Sequence, residues 1–319
     1  MNKDLLTPLE KANTVEIAPS LPVKNILNLL VLAIAVTALA FSPIFTKLSE
    51  FELSPTATIF NRLWIATIIV AFWQFVNTPR SKDSSSTNQS SYKERGLLIL
   101  ASFSATASAL LWAISFTQTS IASSTVLRSL TPLFIALGAW LILNQRFDRK
   151  FVLGMILAII GGISIGWDDL QLGTEYLQGD GIALLSAALH GVNLLTVGYL
   201  RDRGCTTDRV LLWRCGAGAL MVMPIVYLTD LSLFPITAKG WFAVVALAVV
   251  CQTFGQGLLV FSLKQFSSSF VGIFALLKPI ITALLAWVIF AEDISVASSV
   301  ALILILTGIY LAKSSNSNT

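Results

Sequence analysis

Apolar runs of roughly 20 residues recur along the whole chain, and this feature constrains the fold more than any other. A helix rises 1.5 Å per residue, so a run of that length crosses ~30 Å of hydrocarbon. With 55% hydrophobic and only 12% charged residues, the chain carries about half the charged fraction of a soluble globular domain. The sequence therefore predicts an all-α polytopic membrane protein.

Ten of these runs are predicted as transmembrane helices. They cover residues 26–46, 57–77, 96–116, 121–143, 151–167, 179–200, 210–229, 240–261, 270–290 and 295–312. Alternation then assigns 15 of the 21 lysines and arginines to one side, four to the spans, and only Lys47 and Lys239 to the other side. Both termini are expected in the cytoplasm of a bacterial cell, with the protein in the inner membrane. The same rule explains the net charge of +4 without a nucleic-acid partner.

An internal repeat divides the chain. A shift of 147 residues, without a gap, aligns Gln118 with Gln265, Pro132 with Pro279, Trp140 with Trp287, and Gly161 with Gly308. The predicted repeats are 26–167 and 179–313, flanked by a cytoplasmic tail (1–25) and a short tail (314–319). Because each repeat holds five spans, the second enters the membrane inverted. Inverted repeats place a ligand site near the midplane, at their interface.

Several motifs resemble a known family. The fourth and ninth spans share Leu-x-Pro followed by small residues and Ala-Trp, and Glu292 follows Ala291 after the ninth. With the five-plus-five arrangement, these motifs resemble the EamA-like branch of the drug/metabolite transporter superfamily over residues 26–313. The resemblance implies ten helices, transport of a small molecule and no cofactor. It leaves the substrate open, since members export amino acids, amines and drugs, and related translocators exchange anions.

The chain departs from that family at two places. Many members have a glutamate just before the proline of the fourth and ninth spans, where this chain has Thr131 and Lys278. The acidic residue that ends the fourth span in the family is replaced by Asn144 and Gln145. A mechanism based on an intramembrane carboxylate therefore cannot be transferred from the family to this protein.

Lys278 and Arg128 are the first candidates for a substrate site. Intramembrane cations cost ~3 kcal/mol or more and normally face the protein interior or a water-filled cavity. Lys278 aligns with Thr131, and Arg128 lies one helical turn before Thr131 on the same face. In the phosphate-translocating relatives, cations on these two spans hold the anion, so the resemblance implies a carboxylate or phosphate ligand. The alternative is that Lys278 is structural and binds a carbonyl freed by Pro279.

Further polar residues share the predicted cavity, although interhelical hydrogen bonding explains the amides and the indole equally well. The candidate substrate-binding residues besides Lys278, Arg128 and Thr131 are Ser124, Thr282, Trp112, Gln252 and Gln256. Arg62 and Arg214 align at a shift of 152 and are interpreted as structural, bonding helix ends or lipid headgroups. Hinge or structural roles are predicted for Pro43, Pro132, Pro224 and Pro279.

His190 is the only histidine in the chain and lies in the sixth predicted span. Imidazole titrates near neutral pH, so His190 is the first candidate for coupling transport to protons. The alternative is a histidine that simply hydrogen-bonds a neighbouring helix.

The sequence favours a secondary transporter, exporter or exchanger, that uses alternating access. Its partners are the lipid bilayer and a small, anionic or amphipathic substrate. No Walker motif is present, so energy must come from a gradient or from exchange. A membrane-embedded enzyme is disfavoured because the sequence offers one histidine and no paired carboxylates in the membrane. A channel, or a non-transporting sensor on the same fold, remains an alternative.

Overall fold

The structure is a computed structural model that describes residues 22–77, 92–115, 118–119, 124, 127–164, 176–229, 232–290 and 296–315. Most of the predicted amino-terminal tail, the linker after the second span and the end of the carboxy-terminal tail lie outside these residues, as do Ala291 and Glu292. All described elements are helices, in agreement with the predicted all-α membrane class.

The first half contains six described helices. They are α1 (Pro22–Ala40), α2 (Ser42–Ser49), α3 (Pro55–Asn77), α4 (Tyr92–Ser115), α5 (Thr131–Leu143) and α6 (Arg149–Ser164). The second half contains seven α-helices and a π-helix. They are α7 (Leu177–Asp202), α8 (Thr207–Thr229), α9 (Ala238–Ala246), the π-helix (Leu247–Gly255), α10 (Gln256–Ser262), α11 (Ser268–Phe274), α12 (Leu277–Phe290) and α13 (Val296–Lys313).

Helices therefore lie at each of the ten predicted positions, but only six of the described segments are long and apolar enough to span a bilayer. These six are Ile26–Ser49, Pro55–Val76, Tyr92–Ser115, Leu177–Asp202, Thr207–Thr229 and Ala238–Ser262. At the fourth and ninth predicted spans the described helices are shorter, because the chain turns before Thr131 and again before Leu277. The number of spans therefore stays a prediction.

The distribution of polarity suits a lipid environment. Large apolar side chains such as Phe72 and Leu220 are exposed, whereas Asn193, Gln252 and Arg214 are buried. A soluble protein has the opposite pattern, because exposed apolar surface is favourable only against lipid or another apolar partner. Polar groups are consequently collected inside the helix bundle.

Helix packing follows a regular scheme. Contacts join α3 to α8, α5 to α11, and α6 to α13, and these are the second with the seventh, fourth with ninth and fifth with tenth positions. Two further interfaces, α4 with α7 and α1 with the π-helix, join the third position to the sixth and the first to the eighth. Each half therefore contributes helices to every one of these interfaces, and the core lies between the halves.

Close approach of α6 and α13 depends on glycine. A Cβ atom added to Gly154 would lie 2.5 Å from the carbonyl oxygen of Gly308 and 2.7 Å from the backbone nitrogen of Ala312. Both distances are shorter than real Cβ contacts allow. Gly308, which the sequence analysis aligned with Gly161, thus has a packing role at this interface.

Candidate functional site

Three helix interruptions lie beside the polar interior. α1 ends at Ala40, Phe41 forms a turn, and α2 starts at Ser42 with Pro43 in its first turn. A turn at Ser129 and Leu130 precedes α5, and a turn at Ala275 and Leu276 separates α11 from α12. Such interruptions are tolerated at membrane depth only where protein or water satisfies the freed backbone groups.

The prolines explain how these interruptions arise. Pro132 lies in the first turn of α5 and Pro279 in the first turn of α12. Proline fits a first turn because the missing N–H would have no partner there. Pro43, Pro132 and Pro279 therefore begin helices rather than kinking them. α8 runs through Pro224 without interruption, so no break is visible at that predicted hinge.

Arg128 projects toward α4 and α7. Its Nη1 donates to Oγ of Ser186 at 2.5 Å and to Oγ of Ser108 at 3.4 Å. The guanidinium carbon lies 4.8 Å from the centre of the Trp112 ring, which is a cation–π distance. Arg128 and Trp112, both predicted to be substrate-binding, are thus brought together by the fold. The Arg128 carbonyl also accepts a 2.7 Å hydrogen bond from Oγ1 of Thr131.

Lys278 lies in the first turn of α12, immediately after the helix interruption. Its backbone nitrogen donates to the carbonyl of Ala275 at 3.1 Å. Its ammonium lies within Coulombic range of Arg128 and Arg62, so the three cations share one interior region. Within the described part of the chain, the ammonium has neither a hydrogen-bond acceptor nor a carboxylate partner. The helix dipole disfavours a cation at a helix N-terminus. An anion bound there would be attracted both by the dipole and by the ammonium of Lys278.

The other predicted hydroxyl residues are engaged in contacts between chain segments. Oγ of Ser124 lies 2.6 Å from Oγ of Ser115. Oγ1 of Thr282 donates at 2.8 Å to the carbonyl of Ala40, at the end of α1. That carbonyl is freed by the interruption at Phe41, so Thr282 compensates for the break while linking α12 to the first helix.

His190 on α7 lies within Coulombic range of Arg128, Lys278 and Arg214. Its imidazole makes no hydrogen bond to any other described residue. Asn193, one turn further on, is buried and donates from Nδ2 to the carbonyl of Ala101 at 2.7 Å. The interior face of α7 thus carries Ser186, His190 and Asn193 at helical spacing.

Arg62 and Arg214 pair with the two glutamines of the eighth predicted span. Nε of Arg62 donates to Oε1 of Gln252 at 2.7 Å, and Nη1 donates to Oγ of Ser42 at 3.3 Å. Nη1 of Arg214 donates to Oε1 of Gln256 at 3.4 Å. Two of these partners, Ser42 and Gln256, are the first residues of their helices, and Gln252 lies within the π-helix.

The π-helix is a feature that the sequence analysis missed. It covers Leu247–Gly255 and contains Gln252, and Gln256 follows directly at the start of α10. Oγ1 of Thr253 donates to the carbonyl of Ala248 at 2.8 Å, five residues earlier. π-Helical turns are rare and occur frequently at functional sites. No hydrophobic pattern distinguishes such a turn from an α-helix, so periodicity could not reveal it.

Two side chains that the sequence analysis did not select complete the arrangement. Ser186 binds Arg128, and Cys215 accepts a 3.4 Å hydrogen bond from Nε2 of Gln252. Ser186 could have been found because it lies four residues before His190 on the same helical face. Cys205, Cys215 and Cys251 are free and buried.

The charged side chains described in this interior are all positive. Arg62, Arg128, Arg214 and Lys278 have no carboxylate partner among the described residues, whereas Arg209 forms an ion pair with Glu94 (3.0 Å) near the starts of α8 and α4. Within the described residues no group of three His, Cys, Asp or Glu side chains could hold a metal ion. The arrangement is suited to binding an acidic group that enters from solution.

Comparison with known proteins agrees with this architecture. The model of the EamA-like transporter family matches residues 26–167 and again residues 177–313. A solved crystal structure, described only as that of a protein, superimposes with a TM-score of 0.76 at 17% sequence identity. The match covers 90% of this chain and 96% of the other, and at that identity it concerns the fold alone. No curated protein matches the chain.

Proposed function

This chain belongs to the EamA-like transporter family, and from that premise we propose that it is a secondary carrier. It moves a small anionic or amphipathic metabolite, as exporter or exchanger, by alternating access. The observation that carries the proposal is that Arg128 contacts only neutral side chains, and that neither Arg128 nor Lys278 has a carboxylate partner among the described residues. Buried cations need a counter-charge, and a substrate acid group would supply it.

The arrangement proposed for the carrier is ten helices in two inverted repeats of five. Helix packing supports it. A two-fold axis relating the halves brings the second, fourth and fifth helices against their own counterparts. The same axis exchanges the contact of the third and sixth helices with that of the eighth and first. The contacts of α3 with α8, α5 with α11, α6 with α13, α4 with α7, and α1 with the π-helix fit this scheme.

Contacts near the predicted ends of the spans support the proposed alternation across the membrane. Glu52 binds residues 236–237, and Thr119 donates at 2.7 Å to Asp180 in the first turn of α7; all of these positions are assigned to the outer side or to the outer end of a span. Arg209 pairs with Glu94 on the side assigned to the cytoplasm. Both termini are proposed to be cytoplasmic, in the inner membrane of a bacterial cell. Terminal tags that react with an impermeant reagent in intact spheroplasts would contradict this orientation.

The sequence contains no ATP-binding motif, so the proposed energy source for transport is an ion gradient or exchange. Helix interruptions beside Ser42, Thr131 and Lys278 provide positions where two halves can bend relative to each other. His190 is the proposed proton-coupling group, since it faces the same interior as the cations.

Reconstitution tests the proposal. Thermal-shift screening of the purified chain with amino acids, organic acids, phosphates and amines first identifies a stabilising compound. Proteoliposomes then take up that labelled compound. Saturable uptake that is stimulated by the same compound inside the vesicle is expected of a carrier. A large conductive flux would instead indicate a channel, and no flux of any stabilising compound would indicate a sensor or an enzyme.

A further inference from the structure

We propose that Arg62 and Arg214 form a second anion subsite beside Lys278 and Arg128, so that the transported compound carries two separate acidic groups, as a dicarboxylate does. This inference rests on the proposed carrier function, because it names the substrate class of the same interior. It differs from the interpretation of these arginines as structural residues at helix ends.

Arg62 and Arg214 occupy corresponding positions on two helices. Arg62 is the eighth residue of α3, and Arg214 is the eighth residue of α8. α3 and α8 pack against each other, and the two guanidinium groups lie within Coulombic range. Two like charges that face each other in a protein interior repel, and the repulsion is relieved when an anion lies between them.

The guanidinium of Arg214 has unused hydrogen-bond donors. A guanidinium has five N–H donors. Arg214 is only 6% exposed, its Nη1 makes a long 3.4 Å hydrogen bond to Gln256, and its buried Nε has no acceptor in the described part of the chain. An unpartnered buried donor destabilises the protein, and more so when the donor is charged. A carboxylate or phosphate accepts two parallel N–H bonds from guanidinium and would remove that cost.

Two glutamine side chains orient the arginines. Gln252 and Gln256 are one turn apart and present amide oxygens to Arg62 and Arg214, respectively. Amide oxygens orient a guanidinium without neutralising it, so the positive charge stays available for a ligand. The amide of Gln252 is itself held by Cys215, next to Arg214. Charged side chains inside membranes normally pair with one another or with backbone carbonyls, whereas Arg214 hydrogen-bonds only to the side chain of Gln256 among the described residues.

The two subsites are neighbours. Arg62 lies within Coulombic range of both Arg214 and Lys278, so it connects the arginine pair to the lysine on α12. A compound with one acidic group would neutralise one of these regions and leave the other charged. A compound with an acidic group at each end would satisfy both.

The test compares dicarboxylates of two to five carbons with monocarboxylates of equal length, for example succinate with butyrate. Melting temperatures of the purified full chain are measured at constant ionic strength. At least one dicarboxylate is expected to bind roughly 10-fold or more tightly than its matched monocarboxylate. Arg62→Gln and Arg214→Gln are expected to abolish the difference, whereas Arg203→Gln, at an exposed position, leaves it intact.

Gln256→Glu provides a variant that does not depend on loss of an arginine. The new carboxylate would occupy the position from which Gln256 now meets Arg214, so the unliganded protein is expected to melt at a higher temperature. The advantage of the dicarboxylate over the monocarboxylate is expected to disappear. If Gln256→Glu retained that advantage, the subsite would be contradicted, because the introduced carboxylate would already accept the hydrogen bonds of Arg214.

Other outcomes overturn the inference without affecting the carrier. Equal binding of every matched pair by the wild-type chain would exclude a substrate with two acidic groups. If inorganic phosphate alone produced the shift that depends on Arg214, and butyrate then bound as tightly as succinate, the arginines would hold a free inorganic anion. Counterflow of a monocarboxylate that depends on Lys278 would in either case leave the proposed function standing.

Discussion

Nε of Arg62 lies 2.7 Å from Oε1 of Gln252, and this charge-assisted hydrogen bond joins α3 to the π-helix. The same arginine reaches Ser42, directly after the interruption that separates α1 from α2. Arg62 therefore links α3 to two irregular features of the interior, the π-helix and the interruption between α1 and α2. Gln252 is buried, so its amide depends on partners inside the protein.

Gln252→Leu is predicted to destabilise the protein by about 1–3 kcal/mol, because Nε of Arg62 would lose its acceptor in a region away from water. The thermal unfolding midpoint of the purified protein measures this loss. Thr253→Val, on the same π-helix, removes only a local hydroxyl bond to its own helix and serves as the control. Equal midpoints for Gln252→Leu and wild type would show that the hydrogen bond contributes nothing.

Lys278→Gln is predicted to weaken binding of acidic substrates roughly 10- to 100-fold, since a charge-assisted hydrogen bond contributes about 1.5–3 kcal/mol. Lys278→Arg should retain much of the affinity because the charge is kept. Substrate affinity is measured from the thermal shift and from the KM of counterflow. Lys239→Gln removes an exposed lysine in the first turn of α9 and should change neither. An unaltered affinity in Lys278→Gln would eliminate this residue from the site.

His190→Gln is predicted to abolish the dependence of uptake on a pH gradient while counterflow continues. The chain has no other imidazole, and this one lies one turn after Ser186, which binds Arg128, on the same helix. Uptake with and without an imposed gradient, in the same proteoliposomes, measures the effect. Asn193→Ala, one turn away on α7, is the control for general damage to this face. Gradient-driven uptake that survives in His190→Gln would assign coupling to another group.

Gly154→Ala is predicted to destabilise the protein by about 1–3 kcal/mol, because the added methyl group would overlap the carbonyl oxygen of Gly308. Gly181→Ala provides a matched control, since no atom lies within 4 Å of the corresponding position on α7. Alanine there should be neutral or stabilising by about 0.5–1 kcal/mol through helix propensity. Thermal midpoints of the two variants decide whether α6 and α13 are as close as described.

Glu52 is predicted to make a loop contact sensitive to acid. Its carboxylate accepts hydrogen bonds from the side chain and backbone nitrogen of Thr237 and from the backbone nitrogen of Ile236, and these bonds lower the pKa of Glu52. Because the folded-state pKa lies below the unfolded value, the contact contributes stability above the unfolded pKa, and that contribution is lost as the pH falls through the folded pKa.

Amide hydrogen exchange at Ile236 and Thr237, corrected for the intrinsic pH dependence, measures this contact. Protection should fall as the pH drops below the ordinary pKa of a glutamate. Glu52→Gln should lower protection at neutral pH and remove its change with acid. Glu50→Gln, in the same loop, should preserve wild-type behaviour. Protection that is independent of pH in the wild type would contradict the role of the carboxylate.

Much of the fold could be predicted because lipid imposes simple rules on sequence. A spanning helix needs a long apolar run, and this requirement located helices at positions as distant as residues 55–76 and 238–262. Boundaries near helix interruptions were less predictable. Pro132 and Pro279 were expected to disturb continuous spans, whereas each lies in the first turn of a helix that begins after a turn. A proline does not reveal from sequence on which side of it the backbone departs from helical geometry.

The candidate site was only partly predictable. Sequence spacing indicated that Arg128 and Trp112 could both face the interior, and the fold brings them to 4.8 Å. The partners Ser186, Ser42 and Cys215 were missed, because each lies on a different helix from its partner, 20 to 58 positions away in sequence. Their polarity is ordinary, and only packing distinguishes them from other small polar residues in the spans.

The sequence by itself determined the helical membrane class, the family motifs and the presence of cations without carboxylates at their depth, since all of these depend on local composition and spacing. Tertiary structure alone decided which groups meet: Arg62 with Gln252, Arg214 with Gln256, Arg128 with Ser186, and Thr282 with the carbonyl of Ala40. Hydrogen bonds act over about 3 Å, whereas helix packing brings together residues up to 242 positions apart. No local pattern can encode a contact of that range.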